Sequence, residues 1–172
     1  MRRKEPRKPV KEVWSADMKI NELLEDMRYR LIAGTTDREI TSVEYDSRKI
    51  VDGSAFIAVK GQTSDGHDYI GSALSKGAAL VVVNEVRDGH DDSELKALSE
   101  SSNATFISVP DSRKATASIC AAFYGHPEKK LHMIGITGTK GKTTISFMIH
   151  DIMSKAGKKT GLIGTVCNMI GD

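Results

Sequence analysis

The chain has 172 residues, of which 39% are hydrophobic and 28% charged. That balance excludes a disordered chain and suits one full core, or one domain plus part of another. Its formal charge is +2, yet residues 1–17 hold Arg2, Arg3, Lys4, Arg7, Lys8 and Lys11 against Glu5, Glu12 and Asp17, so the basic character belongs to a tail. With Pro6, Pro9 and no apolar period, the tail reads as a solvated, disordered extension rather than a nucleic-acid arm. No apolar stretch of targeting-signal length follows Arg2 and Arg3, and no run of about 18 apolar residues occurs. The expectation is therefore a cytoplasmic protein with no membrane or nucleic-acid partner. Cys120 and Cys167 lack metal-site spacing and are expected to be buried structural thiols.

In chain order, Ile20, Leu23, Leu24, Met27 and Leu31 recur at helical spacing and predict a short amphipathic helix. The segment "EITSVEYDSR" alternates Ile40, Val43 and Tyr45 with polar neighbours and predicts a strand. "DGSAFIAVKG", bounded by Gly53 and Gly61, predicts a second, and polar loops follow both. Tyr69, Ile70, Ala73 and Leu74 then form a helical face that stops at Gly77 and feeds a buried strand over 79–83. A polar surface helix leads to the strand 105–109, closed by Pro110, where a domain boundary is placed. Asp111 reads as the N-cap of a helix that ends near Gly125 and Pro127. Residues 131–137 predict a strand, 142–156 a helix stopped by Gly157, and 160–163 another strand, the opening of a doubly wound parallel sheet. The expected class is α/β. The expected domains are the tail 1–17, a small α/β domain 18–110, and the start of a nucleotide-binding domain at 111–172.

Between strand and helix stands "GITGTKGKTT", residues 135–144. A Gly-rich turn entering a helix at Lys-Thr gathers backbone N–H groups and a helix N-terminus around one small volume, which suits a polyphosphate. Gly138 and Gly141 let the backbone close on the ligand, Lys142 can reach the β and γ phosphates, and the Thr143 hydroxyl can take Mg²⁺. Thr139, Lys140 and Thr144 complete the expected ATP loop. The strict phosphate-loop pattern would place a glycine where Ile136 stands, and a dinucleotide fingerprint is absent. The bland alternative is a Gly-rich turn with an exposed lysine, and the strand-to-helix context disfavours it.

The run Thr137 to Thr143 resembles the ATP loop of the Mur ligase family, Thr-Gly-Thr-x-Gly-Lys-Thr, which also lacks the first glycine. Upstream, "VEYDSRKIVDGSAFIAVKGQTSDGHDYIGSALSKGAALVVV" is similar to the UDP-binding domain of that family, and the resemblance extends over about residues 18–172. It implies that Tyr45 and Ser47, with Gln62, Thr63 and Ser64, contact the UDP-sugar of a UDP-N-acetylmuramoyl peptide. Taken alone, Asp46, Arg48, Asp65 and Asp68 read as turn formers or ion-pair members, and His67 as a surface residue at a helix start.

Two members of the family share such a first domain, one adding the third amino acid and the other the terminal D-Ala-D-Ala dipeptide. Gly164-Thr165-Val166 is similar to the matching segment of the first, so the resemblance favours that member. The resemblance then implies that ATP with Mg²⁺ phosphorylates the D-Glu carboxylate of UDP-N-acetylmuramoyl-L-Ala-D-Glu. The amine of a free amino acid, lysine or meso-diaminopimelate, attacks the acyl phosphate. Lys142 is the catalytic candidate through charge stabilisation. The family's remaining Mg²⁺-binding acid and carboxy-terminal domain would lie beyond Asp172, so the chain is expected to be an inactive fragment of a bacterial cell-wall ligase. The alternatives are the dipeptide-adding ligase and a module that binds UDP-sugar or nucleotide without turnover.

Overall fold

A computed structural model describes residues 18–85 and 92–171. The predicted basic tail lies outside the described residues. The chain divides into two compact units, Met1–Lys130 and Leu131–Asp172.

The first unit opens with β1 (Met18–Lys19), which pairs antiparallel with β3 (Glu39–Ile40). Between them, α1 (Ile20–Leu23) is a single turn, and β2 (Arg30–Ala33) follows. The helix predicted through Leu31 therefore stops early. Ile20, Leu23 and Leu24 are buried as expected, but Leu31 lies on a strand and is 45% exposed, while Ile32 beside it points into the core. The backbone of residues 30–33 gains a ladder with β7, and that tertiary pairing overrides a weak local helical pattern.

The main sheet is completed by β4 (Ser42–Glu44), β5 (Ser54–Ile57), β6 (Leu80–Asn84) and β7 (Thr105–Val109), in the order β2-β7-β6-β5-β4. β4 to β7 run parallel in sequential order and β2 is an antiparallel edge. The segment "EITSVE" is thus two strands, with Ile40 in the small ribbon and Val43 in the main sheet. Crossovers are made by a 3-10 turn (Gly66–Tyr69) leading into α2 (Ile70–Ser75), and by α3 (Asp92–Ser102).

Side chains on a strand alternate between faces, and both faces are apolar, as a covered parallel sheet requires. Ala55, Ile57, Leu80, Val82, Ile107 and Val109 face α1 and α4 (Ser112–Phe123). Phe56, Val81, Val83 and Phe106 pack with Ile70, Ala73 and Leu95 of α2 and α3 on the other face. Tyr69, expected inward, is exposed because the 3-10 turn rotates it off the α2 stripe.

Asp111 caps α4 as predicted, with its Oδ1 accepting the backbone N–H groups of Arg113 and Lys114 at 2.9 and 3.1 Å. Ala115 and Ile119 bury α4 against the first core, so the compact unit continues to Lys130 instead of closing at Pro110. Cys120 is half-buried, and burial with the nearby charge of Glu44 pushes its thiol up. Cys167 is also half-buried, so neither thiol is as enclosed as its sequence neighbourhood suggests.

The second unit holds α5 (Lys142–Lys155), β8 (Gly161–Ile163) and β9 (Asn168–Ile170). β8 forms where a strand is predicted, but it pairs antiparallel with β9. Residues 131–137 form no ladder, and Leu131, Met133 and Ile134 are exposed. A parallel strand draws its hydrogen bonds from neighbours separated by a crossover, and none lies alongside 131–137 among the described residues. The α/β class with a parallel sheet accordingly holds in the first unit, whereas the two parallel strands expected in the second are not paired there.

Candidate functional site

Because β4 to β7 are parallel, their carboxyl ends share one edge of the sheet, where ligands of open α/β sheets bind. The two predicted UDP-sugar loops leave the adjacent strands β4 and β5 at that edge. Tyr45 is 68% exposed, while Ser47 is 8% exposed and its carbonyl accepts from Lys76 Nζ at 2.8 Å. Asp46 folds the turn on itself. Its carboxylate accepts the Arg48 backbone N–H at 3.0 Å, Nε at 2.9 Å and Nη2 at 2.8 Å. The side-chain bonds from Arg48, with its backbone N–H, hold the Asp46 carboxyl down at about 2. Asp46 and Arg48 are thus both turn formers and an ion pair.

A carboxyl whose folded pKa is depressed adds stability above its unfolded value of about 3.9, and that stability is lost as pH falls through the folded value. The turn is therefore expected to hold down to about pH 4 and to loosen between about pH 4 and 2. In a carboxyl-carbon NMR titration Asp46 should show its midpoint near 2, and Arg48→Ala should return it toward about 3.9. An unchanged midpoint in the variant would exclude the ion pair as the cause.

On the second loop, Gln62, Thr63 and Ser64 are all exposed, and the Ser64 carbonyl accepts the Gly61 N–H at 2.9 Å. Lys60 and Asp65 form an isolated antiparallel bridge that closes the loop's neck. Asp65 caps the following 3-10 turn through the His67 N–H at 3.0 Å. Partial burial acts to raise the Asp65 carboxyl, and the backbone and ring N–H groups of His67 outweigh it, leaving the carboxyl below its ordinary range.

His67 is not the surface residue predicted. Its side chain is 6% exposed, with Nδ1 at 2.5 Å from Asp65 Oδ1, and Nε2 accepting the Asn84 N–H at 3.3 Å. Sequence reasoning also misses Lys76, Asn84 and Arg113, which brace the two loops. Asn84 carries the one legible signal, a polar residue ending the apolar run "LVVVN". Lys76 and Arg113 reach partners 29 and 53 residues away, a relation that sequence spacing does not reveal.

The second predicted site lies in the other unit. Gly141, at φ +79°, is the N-cap of α5 with no side-chain cap, which leaves the N–H groups of the first helical turn without a capping side chain. Gly138 also has positive φ, +149°. Lys142 Nζ folds back to the Gly138 carbonyl at 2.6 Å, which places the ammonium over the turn. Thr139, Lys140, Thr143 and Thr144 are exposed. An ammonium, hydroxyls and uncapped backbone donors form a donor set suited to a polyphosphate and its Mg²⁺. Among the described residues no cluster of three His, Cys, Asp or Glu could hold a metal by itself.

The sequence profile of the Mur ligase family, catalytic domain, matches residues 39–124. The UDP-N-acetylmuramoyl-L-alanyl-D-glutamate--2,6-diaminopimelate ligase 1 of Clostridium acetobutylicum is 43% identical over 155 residues, covering 90% of this chain and 30% of that protein. The corresponding ligase of Bacteroides fragilis is 40% identical over the same length and shares. This chain therefore spans about a third of the length of these curated relatives.

Among solved structures, a UDP-N-acetylmuramoyl-L-alanyl-D-glutamate--2,6-diaminopimelate ligase superposes with a TM-score of 0.63 at 22% identity, covering 90% of this chain and 29% of that one. MurF from Acinetobacter baumannii gives 0.60 at 24% identity, covering 83% and 29%. These likenesses establish the fold. With the profile matching half of the chain, across the strands and loops that build the first site, the chain belongs to the Mur ligase family.

Proposed function

We propose that the chain supplies the UDP-nucleotide-binding unit and the ATP loop of a ligase that joins 2,6-diaminopimelate to the D-Glu of UDP-N-acetylmuramoyl-L-Ala-D-Glu in peptidoglycan precursor synthesis. The observation that carries this reading is about 40% identity along 90% of the chain to relatives of that name. The resemblance of Gly164-Thr165-Val166 to the third-amino-acid-adding member favours it over the dipeptide-adding ligase. The cytoplasm supplies the ATP and nucleotide-linked precursor that such a reaction consumes.

Tyr45, Ser47, Gln62, Thr63 and Ser64 hold the UDP-sugar at the carboxyl edge of the sheet, where hydroxyls, an amide and free backbone groups meet a uracil and a diphosphate. Gly138, Thr139, Lys140, Gly141, Lys142, Thr143 and Thr144 cradle the ATP phosphates, with Thr143 as the Mg²⁺ ligand. Bound Mg·ATP supplies the phosphoryl group that activates the D-Glu carboxylate as an acyl phosphate. The amine of diaminopimelate then displaces phosphate and gives up one proton. Lys142 acts by charge, offsetting the negative charge that grows on the transferring phosphoryl group.

Calorimetric titration of the 172-residue protein with UDP-N-acetylmuramoyl-L-Ala-D-Glu tests the reading. Saturable binding that UDP displaces is the expected result, and the absence of binding by both would refute it. The same protein supplied with Mg·ATP and diaminopimelate is expected to form no amide product, and product in a mass-spectrometric assay would overturn that expectation.

A further inference from the structure

Residues 62–64 are exposed, so something outside them must hold the loop in a single shape before a ligand can profit from it. We propose that His67 is the positioning residue for this loop: fixed as one neutral tautomer between Asp65 and Asn84, it locks the loop's closing residue to the carboxyl end of the neighbouring strand. The inference rests on the reading of residues 62–64 as UDP contacts.

The partners assign the ring's proton. Asp65 is an ionised acceptor, so Nδ1 carries the hydrogen, and the Asn84 N–H is a donor, so Nε2 is bare. Both nitrogens are thereby occupied and the side chain is almost wholly enclosed, which leaves His67 no route to a ligand except through Asp65. The lock continues beyond β6. Asn84 Oδ1 accepts the Ser112 N–H at 2.7 Å, at the first residue of α4. The next residue, Arg113, sends Nη2 to the Lys60 carbonyl at 2.9 Å. Lys60 and Asp65 are the two sides of the loop's neck. The hydrogen bonds thus run in a closed circuit through Asp65, His67, Asn84, the start of α4 and Lys60. Three sequence-distant elements fix one short loop.

His67→Leu and His67→Asn in the 172-residue protein separate positioning from folding. Leucine fills the space with no polar partner, whereas the asparagine amide keeps a donor within reach of Asp65 and loses the longer reach to Asn84. Amide exchange by NMR reads Asn84, whose N–H meets Nε2, and Gly61, whose N–H closes the loop. The expected result for His67→Leu is faster exchange at both amides, about tenfold weaker UDP binding, and ATP binding within about twofold of wild type. His67→Asn is expected to restore Gly61 protection and most of the UDP affinity while Asn84 stays fast.

Unchanged Gly61 exchange in His67→Leu, or no rescue by asparagine, would overturn the proposal. The ring nitrogens of the wild type give a readout that needs no variant: ¹⁵N shifts of a protonated Nδ1 and a bare Nε2 are expected, and the opposite tautomer would also overturn it. If the wild type fails to bind UDP while exchange follows the expected pattern, the lock stands and the UDP reading falls. If the wild type binds UDP and both variants bind it equally well, the UDP reading stands and the positioning role of His67 falls.

Discussion

Gly66→Ala is expected to destabilise the first unit by about 2–4 kcal/mol and to abolish measurable UDP binding, the combined effect of overpacking and a lost backbone hydrogen bond. A Cβ at residue 66 would stand 2.6 Å from the Val59 nitrogen, 2.8 Å from its oxygen and 3.1 Å from the Ala58 carbonyl carbon. All three are backbone atoms just past the end of β5, so no side-chain rotation relieves the clash. The glycine's own N–H donates to the Val59 carbonyl at 3.0 Å, and moving residue 66 outward breaks that bond. Asp65 and His67 on either side would be displaced together, which couples the stability loss to the binding loop. Urea unfolding followed by circular dichroism measures the first effect and UDP titration the second. A loss of stability below about 0.5 kcal/mol, the range of an ordinary surface substitution, would show that the contact is softer than its distances imply.

Lys142→Ala is expected to weaken Mg·ATP binding by about 10- to 150-fold, the equivalent of one charge-assisted hydrogen bond of about 1.5–3 kcal/mol. The ammonium already sits over the turn on the Gly138 carbonyl at 2.6 Å, so little side-chain entropy remains to be lost when phosphate arrives. Lys159→Ala is the control, since an exposed lysine of the same unit, outside the loop, changes net charge equally without that geometry. UDP binding by Lys142→Ala should match wild type, because the two sites lie in separate units. Equal losses from Lys159→Ala and Lys142→Ala would reduce the role of Lys142 to general electrostatics and remove it as the catalytic candidate.

Much of the first unit was legible residue by residue. The unbroken apolar runs at 55–58 and 80–83 identify strands covered on both faces, and Asp111 identifies the start of α4, because those signals are local and strong. The two candidate binding loops were legible as polar segments after strands. Local pattern failed where pairing with a distant partner decided the outcome. Residues 30–33 became an edge strand because β7 offers hydrogen bonds from about 75 residues away. Residues 131–137 have the composition of a strand and no ladder, since a ladder is a property of two segments.

By itself the sequence determined the α/β class, the Gly-rich turn before α5 and the positions of β5, β6, β7, α4 and α5, carried by short-range chemistry: alternation, caps, and glycines where the chain enters a helix; its quoted motifs carried the Mur ligase resemblance. Only the tertiary structure decided that α4 belongs to the first unit, that β4 and β5 deliver their loops to one edge, and that His67 is enclosed. The physical reason is the same in each case. Burial and hydrogen bonding between Asp65, His67, Asn84, Arg113 and Lys60 depend on the spatial neighbourhood created by the parallel sheet, and residue identity along the chain does not encode which distant atom will complete the bond.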